Sequence, residues 1–287
     1  MSDPVEIPPR GGFEDGDLSI DPAWTARILE RFVATEVGRT GKRRVVVGLS
    51  GGIDSAVSAT LAARALGSSE VTCLLMPYRA SSPDSVQDAR ELAERLGTPH
   101  EIVDITSMVD GFAGVAGDVG HLRLGNAMAR ARMILLFDRS AALDALVLGT
   151  SNKTELLLGY GTLHGDMACA INPIGDLYKT QVRQLADHLD VPARIRAKPP
   201  SADLWPDQSD EDELGFAYPE IDRLLCLLVD SRVGRDEALR RGFSREMVQW
   251  VVEKVVRSQF KRMPPVIAKV SSRSIGWDFR YPRDWRS

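Results

Sequence analysis

The run Gly48-Leu49-Ser50-Gly51-Gly52-Ile53-Asp54-Ser55 concentrates groups able to hold phosphate. Gly51 and Gly52 have no Cβ, so backbone N–H groups there can approach an anion closely. Ser50 and Ser55 add hydroxyls, and Asp54 stands in what reads as the first turn of a helix. A helix start presents unpaired N–H groups and the positive end of its dipole. The run lacks the Gly-Lys-Ser/Thr ending of a Walker loop. Gly48 to Gly52 also fits the G-x-S-x-G nucleophile elbow, with Asp166 and His188 downstream as partners. That elbow normally follows several strands, whereas one precedes it here. A phosphate cradle is the stronger expectation.

Two further runs carry chemistry. In Leu148-Gly149-Thr150-Ser151-Asn152-Lys153-Thr154-Glu155, Asn152 and Glu155 match a capping box. If this run lies beside the Ser50 loop, Asp54 and Glu155 could instead share a Mg²⁺, a hard cation bound by carboxylates and phosphate oxygens. In Asp176-Leu177-Tyr178-Lys179-Thr180, Asp176 reads as an N-cap and Lys179 as a first-turn cation. A cation there opposes the helix dipole at a cost of ~0.3–1 kcal/mol, which a bound anion would remove. A lysine extended into solvent fits equally well. Arg130 shares a helical stripe with Ala127, Ile134 and Phe137, so it should meet a buried partner or a ligand. Arg132, about 160° around the helix, should be solvated.

The elements that position these runs alternate. Apolar runs at 44–49, 71–76, 100–105 and 145–150 read as buried strands, and 54–66, 84–97 and 121–140 as helices between them. This is an α/β pattern, and short connections imply a doubly wound, mostly parallel sheet, Rossmann-like in type. Before it, 21–37 reads as a helix with Ile28, Phe32 and Val33 on one face. After it, helices are expected at 178–189, with Val182, Leu185, Ala186 and Leu189 inward, and near 218–229 and 245–260. The C-terminal region is therefore helical. The Pro- and acid-rich stretch 197–215 is long enough to be a functional lid. Residues 1–20 read as a loose lead-in, 21–270 as a single domain, and 271–287 as an aromatic and Arg-rich tail.

Composition narrows the classes. The 287 residues are 44% hydrophobic and 26% charged, with a net charge of −4. That balance gives no general attraction to nucleic acid. No apolar run approaches the ~20 residues that span a bilayer, so neither a membrane nor a nucleic-acid partner is expected. The four histidines, His100, His121, His164 and His188, have no metal spacing. The three cysteines, Cys73, Cys169 and Cys226, are far apart and odd in number. They read as small buried residues in a reducing, cytoplasmic setting.

Five segments together resemble the NAD synthetase family, of the ammonia-using, single-domain kind. They are GLSGGIDSA (48–56), NAMARARM (126–133), LGTSNKTELLLGYGT (148–162), HGDMACAINPIGDLYKTQVRQLA (164–186) and KPPSADLWPDQSDEDELG (198–215). Other SGGxDS enzymes, among them amidotransferases and tRNA-modifying synthetases, share the first segment but not TSNKTE or PSADLW. The resemblance implies an adenine nucleotide alpha hydrolase-like fold and a homodimer with deamido-NAD near the subunit interface. It also implies ATP-dependent amidation of deamido-NAD by ammonia, with Mg²⁺, releasing AMP and pyrophosphate. By resemblance the ATP site falls on Gly48, Leu49, Ser50, Gly51, Gly52, Ile53, Asp54, Ser55, Thr150, Lys179 and Ser201. The metal ligands fall on Asp54, Glu155 and Asp166, the deamido-NAD contacts on Arg130, Phe260 and Lys261, and the catalytic groups on Asp54, Lys179 and Asp166. The chain departs from some members at Leu163, Ala170 and Phe260, where Lys, Asp and His occur. A nucleotide-binding sensor without turnover is the non-enzyme alternative, and the joint presence of Asp54, Glu155 and Lys179 argues against it.

Overall fold

A computed structural model describes residues 17–272 and Ser274, except Ala202, Pro206 and Asp207. Residues 1–16 and most of the 271–287 tail lie outside the described residues. Four short apolar runs form one parallel sheet: β1 (Arg44–Gly48), β2 (Val71–Leu75), β3 (His100–Ile102) and β4 (Ala145–Leu148), in the order β3-β2-β1-β4. Val46 pairs with Thr72 on one side and Val147 on the other. Strand side chains alternate between faces. Val45 and Val47 accordingly join one apolar cluster, and Val46 joins a different one. The first cluster is covered by α1 (Pro22–Arg39), α2 (Ile53–Leu66), α3 (Pro83–Leu96), α7 (Lys179–His188) and α8 (Ala193–Ala197). The second lies under α4 (Thr106–Ala116) and α5 (His121–Ala142). Helices on both faces of a parallel sheet are the doubly wound α/β arrangement expected from the alternation.

The third strand is shorter than expected, because the chain leaves the sheet after Ile102 and enters α4 at Thr106. That helix was not legible: Gly111 and Gly114 lower its propensity. Beyond the sheet, α6 (Lys153–Leu158), α10 (Tyr218–Leu225), α11 (Arg235–Arg240) and α12 (Arg245–Arg257) enclose a third cluster with Leu18, Tyr178 and Tyr218. A π-helical turn, Cys226–Asp230, follows α10.

Three local expectations are corrected. In α1 the buried residues are Ala26, Val33 and Val37, while Ile28 is 50% and Phe32 37% exposed. The side of α1 that packs against α2 and α7 is set by Val33 and Val37, one turn apart. In α5 the stripe bearing Arg130 faces outward, with Ile134 61% and Phe137 46% exposed. Met128, Met133 and Leu136 take the inner side instead. The N-cap of α7 is Tyr178, not Asp176, whose carboxylate pairs with Lys153 at 3.1 Å. Lys179 therefore stands at the first helical position, and Val182, Leu185 and Ala186 are buried as expected.

Candidate functional site

The carboxyl ends of β1, β2 and β4 open into a cavity of about 540 Å³. Its floor is the turn between β1 and α2. Gly51 holds a φ of +80°, a conformation that L side chains rarely adopt. A Cβ on Gly51 would lie 2.2 Å from the Ser85 carbonyl oxygen. The turn is thus pressed against the start of α3 and admits only glycine. Within it, the Ser50 and Gly52 N–H groups donate to Ser55 Oγ and Ser50 Oγ, both at 3.2 Å. The Ser50 hydroxyl meets Ser55 at 3.1 Å. His188 is exposed at the far end of α7, so no Ser–His pair of the hydrolase kind is assembled. The N-cap of α2 is Gly52, which offers no side-chain cap. The first amides of α2 are left for a ligand.

Asp54, Glu155 and Lys179 converge above this turn. Lys179 Nζ donates to Asp54 Oδ2, and to Glu155 Oε1 at 3.3 Å. The Lys179 side chain is 4% exposed, so it does not extend into solvent. Asn152 and Glu155 do form the capping box of α6, and Asn152 Nδ2 also donates to Asp54 Oδ1 at 3.0 Å. Burial works against the Lys179 ammonium, but Asp54 and Glu155 outweigh it and hold its pKa above the ordinary lysine value. Burial pushes the Glu155 carboxyl up; Lys179 opposes that and Asp54 adds to it. Two ionised carboxylates around one ammonium would leave a surplus of negative charge, which either a proton on Glu155 or a further cation neutralises. Oxygen donors of this kind suit Mg²⁺, which commonly takes one or two carboxylates and completes its shell with water and substrate phosphate. Among the described residues no cluster of three His, Cys, Asp or Glu side chains forms an all-protein metal cage.

A buried scaffold fixes Lys179. Its backbone N–H donates to Thr154 Oγ1 at 3.0 Å. Asp222, fully buried, accepts from Thr154 Oγ1, from the Thr180 hydroxyl and from the Thr180 N–H. The Lys179 ammonium lies 5.2 Å from the Tyr218 ring centroid. Asp210, at the start of α9 (Asp210–Leu214), accepts from Tyr160 and Tyr218 hydroxyls at 3.0 and 3.2 Å. Sequence reasoning missed Asp210, Asp222 and Tyr160. Asp210 lay in an acid-rich stretch, Asp222 in a helix of unremarkable pattern, and Tyr160 in the 148–162 segment without a role of its own.

Described residues of the stretch 198–215 reach the cavity. The Asp203 carboxylate accepts from the Ser82 N–H, and Trp205 meets His121 edge-on with centroids 5.6 Å apart. Ser201, Asp203, Leu204 and Trp205 line the cavity. Lys198, at the root of the stretch, pairs with buried Asp88 at 2.7 Å.

Of the expected site residues, Gly48, Leu49, Ser50, Gly52, Asp54, Ser55, Thr150, Glu155, Asp166, Lys179, Ser201 and Lys261 line this cavity. Gly51 and Ile53 shape the turn without lining it. Asp166 accepts from the Thr162 N–H at 2.8 Å, and the protein packed around it pushes its carboxyl above the ordinary aspartate value. Lys261 Nζ donates to the Gly159 and Gly161 carbonyls at 2.8 and 2.7 Å. Phe260 is 63% exposed and is not part of the lining. Arg130 is exposed and donates to the Leu163 carbonyl at 3.2 Å, outside the cavity. The expected roles of the two arginines on α5 are thus exchanged with respect to the cavity: Arg132 lines it and donates Nε to the Met76 carbonyl at 3.0 Å. The helix face read as solvated is the one the sheet end covers. The three cysteines are free thiols; Cys73 is buried and Cys169 and Cys226 partly so. Among the described residues no helix is long and apolar enough to cross a membrane.

Comparison with known proteins identifies the family. The family model "NAD synthase" matches residues 25–265. The NH(3)-dependent NAD(+) synthetase of Chlorobium phaeobacteroides is 54% identical over 270 residues, covering 94% of this chain and 98% of the relative. That of Chlorobaculum tepidum is 53% identical, with coverages of 94% and 98%. Among solved structures, the NH3-dependent NAD synthetase from Campylobacter jejuni superposes with a TM-score of 0.75 at 35% identity. It matches 88% of this chain and 100% of its own. The NMN synthetase from Francisella tularensis gives a TM-score of 0.78 at 33% identity, with coverages of 87% and 99%. The match to the family model and the two high-identity relatives, on a fold whose cavity gathers the SGGxDS and TSNKTE residues, place the chain in the NAD synthase family.

Proposed function

We propose that this enzyme makes NAD from deamido-NAD, ATP and ammonia, and that the Asp54–Lys179–Glu155 cluster over the Gly51 turn is its adenylation centre. The convergence of both carboxylates on Lys179, at the ends of β1 and β4, carries this reading. A carboxylate does not react with ammonia at neutral pH because its oxygen leaves poorly. Attack of that oxygen on the α-phosphorus of ATP forms the acyl-adenylate and expels pyrophosphate. Ammonia then adds to the activated carbonyl, AMP departs, and a proton is released.

The first step needs positive charge around the phosphates. The amides of the Ser50–Ser55 turn and the Lys179 ammonium supply part of it from the chain. Mg²⁺, held by Asp54 and Glu155, would neutralise the remaining phosphate charge, and Asp166 would serve a second Mg²⁺ rather than this one. Lys179 now spans the two carboxylates and would turn its ammonium toward phosphate as they take a metal. In the second step Asp166, with its raised pKa, is suited to accept a proton from ammonium or to orient ammonia. The 198–215 stretch would keep water from the adenylate.

The active unit is proposed to be a homodimer, with residues 21–270 as its synthetase body. The exposed apolar side of α4 and α5 supports a contact with a second copy: Val115 is 91%, Leu122 76% and Ile134 61% exposed. Patches of that kind commonly mark interfaces. Arg130 lies on this side, where it could meet deamido-NAD beside the partner copy, together with Phe260 and Lys261. Free thiols and the use of ATP support a cytoplasmic setting.

Product analysis tests the reading. With deamido-NAD, ATP, Mg²⁺ and ammonium, the enzyme should form NAD, AMP and pyrophosphate in equal amounts, and glutamine should not replace ammonium. Because a similar structure is named NMN synthetase, the mononucleotide acid that amidation would turn into NMN is the competing substrate. A higher kcat/KM for the mononucleotide than for deamido-NAD would overturn the assignment.

A further inference from the structure

Three cationic side chains line the cavity: Lys179, Lys261 and Arg132. Two are occupied. Lys179 is held by Asp54 and Glu155, and Lys261 by two backbone carbonyls. Arg132 differs. Its Nε is tied to the Met76 carbonyl at 3.0 Å, while its two terminal nitrogens bond to no described residue. Arg132 lines the cavity, so an anion bound there lies within reach of those nitrogens. The Met76 bond fixes the plane of the guanidinium, and buried Met128 and Met133 flank it on α5.

A guanidinium held in protein with an empty fork is poorly solvated, and an anion in the fork relieves that. The phosphate end of the cavity already has its donors at the Ser50–Ser55 turn and Lys179. Burial works against the Arg132 charge, and Asp203 and Asp166 offset that only in part, since neither bonds to it. Resting on the function proposed above, we infer that the Arg132 fork grips the nicotinate carboxylate of deamido-NAD before adenylation. A planar carboxylate matches the two parallel N–H donors. The grip also separates substrate from product. NAD carries a neutral amide where deamido-NAD carries this carboxylate, so the fork holds the substrate and releases the product.

The test is calorimetric binding of deamido-NAD and of NAD to wild-type enzyme and to Arg132→Met and Arg132→Lys, with a non-hydrolysable ATP analogue present. Arg132→Met should weaken deamido-NAD binding by about tenfold to a hundredfold, the range for a lost charged hydrogen-bonding pair. Binding of NAD and of the ATP analogue should change little. Arg132→Lys keeps the charge without the fork, and should lose most of the preference for deamido-NAD over NAD while melting like wild type. That variant decides the matter if Arg132→Met does not fold. Equal weakening of both dinucleotides, or a loss confined to the ATP analogue, would overturn the assignment. Failure of the parent reading shows separately, as absence of NAD formation by the wild-type enzyme.

Discussion

Asn152 Nδ2 donates to Asp54 Oδ1 at 3.0 Å, joining two residues 98 positions apart. This bond brings the turn after β1 and the turn after β4 into one site. Asn152 is fully buried and serves two masters, since its Oδ1 also caps α6 through the Glu155 N–H at 3.0 Å. Its backbone N–H also donates to Glu155 Oε2 at 3.3 Å, so one residue orients both carboxylates that face Lys179.

Lys179→Met should be severe for the fold as well as for activity. It leaves Asp54 and Glu155, with side chains 17% and 16% exposed, facing each other without a counter-charge. Breaking a buried pair of this kind costs about 3–5 kcal/mol. Loss of a charge stabilising the transition state typically removes about 100- to 1,000-fold in kcat. Urea unfolding and pyrophosphate release measure the two effects. Partial recovery of stability in excess Mg²⁺ is expected if the carboxylates then share the metal.

Gly51→Ala should abolish nucleotide binding. The positive φ alone costs about 1–2 kcal/mol in an L residue. The added methyl would also push Ser85 and the start of α3 away from the turn. Fluorescent ATP-analogue binding checks the first effect and thermal melting the second. Gly52→Ala is the control for the melting arm alone: the nearest atom to its Cβ is the Ser50 hydroxyl at 3.3 Å, and its φ is negative.

Asp88→Asn should loosen the cavity cover without touching substrate. Asp88 holds Lys198 at 2.7 Å and Arg194 at 3.3 Å. Lys198 in turn lies 3.4 Å from Ser85 Oγ, beneath the Gly51 turn. Faster proteolytic cleavage within 198–215 and a higher KM for ATP are expected, with deamido-NAD binding little altered. Unchanged cleavage and kinetics would show that the pair does not anchor the stretch.

The ammonia step should have an acid limb set by Asp166. Desolvation by the surrounding protein raises its folded pKa, so the ionised form needed as proton acceptor is lost at a higher pH than for a free aspartate. Activity should fall as pH drops through that raised value. In Asp166→Asn the limb should vanish, and amide formation should slow more than pyrophosphate release. An equal loss in both steps would count against the role in ammonia capture.

Cys73 supplies an alkaline prediction. Burial pushes its thiol from 9.0 to about 11. The unfolded chain loses this proton first, so stability falls as pH rises from 9 toward 11 and is full below that window. The contribution is on the order of 2 kcal/mol. Denaturant midpoints at pH 8 and pH 10.5 should therefore diverge less in Cys73→Ala than in wild type.

The chain's own order of residues determined much of this protein. Continuous valines at 45–47 can be buried on both sides only in a covered parallel sheet, and the Gly-Gly turn before an Ala-rich helix can only present amides. Asp54 stands in the turn after a strand and reads as a site residue on its own, whereas Glu155 reads equally as a cap and Lys179 equally as solvated, so only the resemblance joined the three. What periodicity could not decide was which side of a two-sided helix the sheet would cover. Arg130 and Arg132 lie on opposite sides of α5, each beside apolar residues, and only packing of Met128, Met133 and Leu136 against the strands turned Arg132 inward. Asp210 and Asp222 likewise reach Lys179 through contacts more than 30 positions long, and such neighbours leave no local pattern to read.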